Sequence, residues 1–377
     1  MKRNYVMMAM AAAMLASCAQ TGLVEEIAEE PQKAIGFSTF VDKATRAENS
    51  DQTYSWNLHS HHTTFNVWSY KSVADEKVFD GDVVTYKDVA GSDPLTQAWQ
   101  YDQTRYWDKA ASWYEFYAAA PSNVNWVLNE KTLDKDDDYF TFNSYELKGD
   151  NLNSNGFSTY NESFNSLSND VDLMIAASKK VDNANFGKEV ELEFIHILSR
   201  LNIIVKKDNI VDDQVNLVRL DVVDLKNIGS FDESAITGTL ANGITGRWTT
   251  ADNYTTITYE KNEEVTTSEK YAIQALVIPQ DVKKTTNKIE LDGSNITAEK
   301  KPYIRIEYTI TPTSGPTETF VAYYNLAAAF TSLETPADIA FNEGWQNTLT
   351  ITIQPSKIEF AAKLASWGET SKVLPIK

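Results

Sequence analysis

The sequence predicts an all-β chain: two tandem β-sandwich domains preceded by a lipoprotein signal peptide and a leader. Three observations predict it. Short segments rich in Val, Ile, Thr, Tyr, Phe and Trp alternate apolar and polar residues with a period of two, clusters of Gly, Asn, Asp and Pro separate them, and helical periodicity is scarce. Short strands with turns between them favour sandwiches over alternating β-α units. The chain of 377 residues is long enough for two domains, and 42% hydrophobic with 23% charged residues is a globular composition.

The N-terminus carries an export signal. Lys2 and Arg3 form a positive region, Val6 to Leu15 is an apolar run, and Leu15-Ala16-Ser17-Cys18 has the form of a lipobox. The run falls short of the roughly 20 residues that span a bilayer, so residues 1–17 read as a cleaved signal and Cys18 as the lipidated residue. Cys18 is also the single cysteine, so no disulfide stabilises the fold. Ala19 to Lys33 contains Glu25, Glu26, Glu29 and Glu30 with few large apolar groups and reads as an exposed leader.

Regular structure is expected to begin at Ala34, with Ile35 to Phe40 as the first strand. Further strands are expected at Thr64–Tyr70, Trp113–Ala119, Tyr139–Phe142, Asn202–Lys206, Val215–Leu225, Tyr271–Ile278, Tyr303–Thr311, Thr319–Asn325, Thr348–Ile353 and Lys357–Phe360. Helical turns are expected at Asn325–Leu333 and around Ile195–Leu201, and a long polar loop at Gly149–Asn169. The domains are expected to span 47–185 and 186–377, behind a leader of 18–46.

The chain shows little chemistry. A net charge of −19 argues against a nucleic-acid partner and against binding to anionic membrane. His59, His61 and His62 sit in LHSHH without carboxylates or cysteines at metal-ligand spacing, and they read as surface histidines before a strand. His196 lies in the apolar run FIHILSRL and reads as a partly buried, hydrogen-bonded side chain. Asp134, Asp136, Asp137 and Asp138 lack the glycine and glutamate of a calcium loop, having Tyr139 and Tyr145 at those places. No P-loop, dinucleotide, nucleophile-elbow or zincin motif occurs, so no catalytic residue, cofactor or metal is expected. Nine tryptophans and eighteen tyrosines fall mostly at alternating strand positions, where packing explains them; a glycan-binding face stays open as a second reading.

An ordered set of local patterns resembles the fimbrillin family, the lipoprotein-derived pilins of Bacteroidetes type V fimbriae. The patterns are the lipobox at Cys18, IGFSTF followed by Thr45-Arg46-Ala47, FNVWSY, YWDKAASWYEFYAAAP from Tyr106 to Pro121, and FIHILSRLNIIV from Phe194 to Val205. Val277-Ile278-Pro279-Gln280, Gly344-Trp345 leading into NTLTITI, and the closing segment Ile358 to Trp367 complete the set. The resemblance implies two transthyretin-like sandwiches, export as a lipoprotein to the outer membrane, and polymerisation with other fimbrial subunits at the cell surface, where the fimbria supports adhesion to host proteins or glycans. It also implies a trypsin-like, Arg-specific protease that cuts in the loop after the first strand, here between Arg46 and Ala47. The cut strips a strand from the sheet, and a strand of the next subunit takes the groove.

Physical chemistry supports such a device. A strand added at a sheet edge gains a ladder of backbone hydrogen bonds and places alternate side chains in pockets. An open edge invites wrong partners, and a removable plug keeps it closed. Ile35, Phe37 and Phe40 are the expected pocket-filling residues of that plug. Only Gly368 to Lys377 follow Trp367, so a C-terminal donor strand is either short or includes Ile358 to Leu364, and stalk, anchor and tip roles all stay open. The alternative is a monomeric surface lipoprotein that binds glycans through exposed aromatics.

Overall fold

The computed structural model describes residues 33–41, 58–73, 76–87, 98–129, 138–159, 169–235, 247–282, 291–292, 295–296, 302–329, 340–354 and 358–366. Nearly all of its regular structure is strand, and the α-helix among the described residues is one four-residue turn, Leu326–Ala329. Seven strands make the largest sheet, in the spatial order Phe37–Val41, Val190–His196, Met174–Asp182, Trp113–Ala120, Thr64–Lys71, Lys77–Tyr86 and Trp99–Tyr101. Its strands Trp113–Ala120 and Thr64–Lys71 are buried on both faces: in Thr64–Lys71, Phe65 and Val67 enter one core while Trp68 and Tyr70 enter another.

Two four-stranded sheets form the second half. One orders Lys270–Val277, Ser199–Lys207, Trp345–Ile353 and Ile358–Ser366; the other orders Tyr254–Val265, Gln214–Lys226, Tyr303–Thr311 and Glu318–Asn325. They enclose a mostly aliphatic core in which Leu201, Ile203 and Val205 meet Leu217, Leu220, Val222 and Ile306, as expected of a sandwich. A further sheet of Trp248–Thr250, Ile228–Asp232, Tyr139–Glu146 and Val127–Asn129 mixes strands from both halves of the sequence. Its Phe142, Phe231 and Trp248 build an aromatic layer with Trp68, Phe140 and Leu276.

The expected strands are present, several of them longer than the sequence pattern indicated. One expected helical turn is corrected: Ile195 to Leu201 is the end of one strand and the start of the next, buried almost throughout, with His196, Ser199 and Arg200 buried along with the apolar residues. The turn at Asn325–Leu333 is helical over Leu326–Ala329. Within Gly149–Asn169 the described residues 149–159 form no strand, and Asn151 and Asn153 are buried there, their side-chain amides donating to carbonyls of Thr258, Ala272 and Tyr271. The seven-stranded sheet runs past residue 185 and takes in Val190–His196.

Candidate functional site

The first strand, Phe37–Val41, is an edge of the seven-stranded sheet. It runs parallel to Val190–His196, with Phe37 beside Val190 and Val41 beside Phe194, and the Val190 N–H donates to the Gly36 carbonyl at 2.7 Å. Ahead of it, Ala34 bridges to Tyr106, the Ile35 N–H donates to the Arg105 carbonyl at 2.9 Å, and the Tyr101 hydroxyl donates to the Ile35 carbonyl at 2.7 Å. Residues 34–35 therefore tie the strand at one edge of the sheet to the chain that continues from the strand at the other.

Strand alternation decides which side chains enter the core. Ile35, Phe37, Thr39 and Val41 are all at most 3% exposed, while Ser38 and Phe40 are half-buried on the opposite face. Ile35 and Phe37 thus face inward. Phe40 does not: a period of two starting from Ile35 and Phe37 puts Thr39 and Val41, not Phe40, on the inward side.

Phe37 is the centre of an aromatic cluster. Phe65, Phe79, Tyr101 and Phe116 surround it at centroid distances of 5.9, 5.6, 5.8 and 6.0 Å, all edge-to-face. Each such pair is worth about 0.5–1.5 kcal/mol beyond area burial. Arg105 steadies one wall: its guanidinium lies 5.2 Å over Phe79, its Nε donates to the Val78 carbonyl at 2.7 Å, and it pairs with Asp82 at 2.9 Å. Neither Tyr101 nor Arg105 was singled out in the sequence, since both act on a strand more than sixty residues away and carry no local motif.

On its other side, Val190–His196 pairs with Met174–Ala176 only through Phe194, Ile195 and His196. Among the described residues, Val190 to Glu193 have the first strand as their one ladder partner. At the strand's far end His196 Nδ1 lies 2.7 Å from the Asp172 carboxylate, both buried, and the His61 ring meets His196 edge-on at 5.5 Å.

The histidines differ from expectation. His61 and His62 are buried rather than on the surface, because the 3-10 turn Leu58–Ser60 folds them in beside Asp172 and His196; His59 stacks on Tyr86 at 4.3 Å. Burial first, then the electrostatic influence of His196, lowers His61 to about 3, and burial lowers His62 to about 4 against the pull of Asp172. Asp172 is held below the usual carboxylate range: burial pushes it up, but the attraction and hydrogen bond of His196, helped by His62 and His61, prevail. Among the described residues no group of His, Cys, Asp and Glu is arranged to hold a metal, and no helix is long and apolar enough to cross a membrane. Cys18, Arg46, Ala47 and Asp134 to Asp137 lie outside the described residues.

Fold and site together define an all-β sandwich protein whose first strand forms an edge of the largest sheet and sets Phe37 in an aromatic pocket. The chain belongs to the fimbrillin-like family, which it matches over residues 45–367. A fimbrial protein from Bacteroides vulgatus is similar in structure at 16% identity and a TM-score of 0.52, the alignment covering 89% of this chain and 99% of that one. The tip fimbrial protein Mfa3 from Porphyromonas gingivalis, with C-terminal truncation, aligns at 12% identity and a TM-score of 0.34, covering 81% of this chain and 95% of that one. No curated protein sequence matches the chain.

Proposed function

We propose that the chain is a structural subunit of a surface fimbria, exported as a lipoprotein acylated at Cys18 and assembled by strand exchange once an Arg-specific protease cuts between Arg46 and Ala47. The observation that carries this reading is the first strand: it is the one ladder partner of Val190 to Glu193 among the described residues, and its Phe37 fills an aromatic pocket whose walls all lie after Arg46. The family match begins at Thr45, next to the proposed cut. While attached, the plug occupies its groove at high effective concentration and an incoming strand competes poorly. Cutting removes that advantage.

In this reading the mature subunit from Ala47 comprises two sandwiches, the first continuing past residue 185 to include Val190–His196; its partners are other fimbrial subunits and the protease, and the assembled fibre meets host proteins or glycans outside the cell. Ile358–Ser366 is paired along Trp345–Ile353 in the chain itself, so its use as a donor would require leaving that edge. The glycan-binding alternative has less to stand on, because Trp68, Trp99, Trp107, Trp126 and Trp248 are all buried.

The deciding experiment compares wild type with Arg46→Ala in cells. Wild type is expected to yield fibres whose subunits begin at Ala47, and the variant folded monomers that retain the leader. Normal fibres from Arg46→Ala, with no new cut at Lys43, would overturn the reading. Cys18→Ala is expected to abolish fatty-acid labelling.

A further inference from the structure

We propose, building on the strand-exchange reading, that the groove left by the plug selects its donor at two adjacent inward positions: an aromatic ring where Phe37 sits and a wholly apolar side chain where Thr39 sits. The donor is a β-strand of a second subunit, lying parallel to Val190–Phe194 as the plug does.

The first position follows from shape. Four rings stand edge-on around Phe37, and Arg105 fixes one of them through a backbone carbonyl, an ion pair and its own contact with the ring. Rigid aromatic walls collapse poorly onto a smaller side chain, so a donor without a ring there leaves a void.

The second follows from an imperfection in the plug. The Thr39 hydroxyl is buried with no hydrogen-bond partner among the described residues, in a strand whose other inward residues are Ile35, Phe37 and Val41. A buried unsatisfied hydroxyl is destabilising, whereas a methyl of the same shape is not. The plug therefore fits its groove less well than a strand with valine or isoleucine at that place. Exchange then runs downhill once the tether is cut: plug and donor form equivalent backbone ladders, and the donor loses no hydrogen bond by lacking the hydroxyl.

The test uses the full chain cut after Arg46 and freed of its leader, with synthetic peptides of residues 34–41 as probes, read by fluorescence anisotropy and by capping of polymer growth. Relative to the wild-type peptide, Thr39→Val is expected to bind about 10-fold tighter. Phe37→Ala is expected to bind about 100-fold weaker, and Phe40→Ala within about 3-fold. A Thr39→Val peptide no tighter than wild type, or a Phe37→Ala peptide no weaker, on a chain that polymerises normally would overturn the inference and leave strand exchange standing. A cut chain that neither polymerises nor binds any of the peptides would overturn both.

Discussion

The two halves of the molecule bury their strands against different materials. Around the first strand the core is aromatic, with Phe37, Phe65, Phe79, Trp99, Trp107, Tyr114, Phe116 and Phe194 in one cluster. The second half is packed chiefly with Leu, Ile and Val, and its central strands Ser199–Lys207 and Trp345–Ile353 are flanked on both sides. Aliphatic side chains interdigitate and relax around a missing neighbour, whereas edge-to-face rings keep a shaped gap. The first strand lies at an edge, against rings; the last long strand, Ile358–Ser366, also lies at an edge but packs Phe360 and Ala362 on the aliphatic core. In the strand-exchange reading proposed above, the first half loses a strand and keeps an aromatic pocket, while the second stays whole.

The sharpest way to break that comparison is to truncate one side chain in each core. Phe37→Ala should cost the uncut chain about 3–5 kcal/mol in urea unfolding, and nothing once the chain has been cut after Arg46 and separated by gel filtration from whatever has dissociated. Ile203→Ala, at the centre of the aliphatic core, should cost about 2–4 kcal/mol in both forms. Equal effects of Phe37→Ala before and after cutting would show that the plug does not leave.

Asp172→Asn removes the charge opposite His196, and by analogy with other broken buried pairs should cost about 3 kcal/mol. Acid should act on the same cluster. His61 and His62 have folded values near 3 and 4, below the ordinary 6.5, so the unfolded chain binds more protons between those limits. Stability should therefore be full above about pH 6.5 and fall on acidification towards pH 4, with the contribution of Asp172 lost lower still. Thermal melts of wild type against a His61→Leu, His62→Leu double variant measure the slope, which should flatten in the variant.

The smallest effects lie on the plug itself. Thr39→Val should stabilise the uncut chain by about 1 kcal/mol, and Phe40→Ala should change it by less than about 1 kcal/mol, since that ring is half-buried outside the core. A larger loss from Phe40→Ala than from Phe37→Ala would reverse the assigned facing of the strand.

Legibility followed the local signals. Strands such as Tyr303–Thr311 alternate cleanly because one face is buried, and the sequence shows them. Lys77–Tyr86 was hidden because Asp80-Gly81-Asp82 reads as a turn; in the fold Gly81 takes a positive φ of 79° beneath the Trp68 ring, beside an irregularity in the ladder, and the strand continues through it. Tyr254–Val265 was hidden by its polar residues, which an edge strand tolerates. His61 and His62 looked like surface residues since nothing within a few positions announces Asp172 or His196.

The all-β class, the first strand and the family are legible without the fold, because a period of two, turn residues and ordered motifs are properties of neighbouring residues. Register and distant contacts alone make Thr39 rather than Phe40 face inward, enclose Phe37 in four rings from distant strands, and give Val190 to Glu193 the first strand as their one ladder partner among the described residues. Those facts depend on register and on contacts between residues far apart in the chain, which no local pattern encodes.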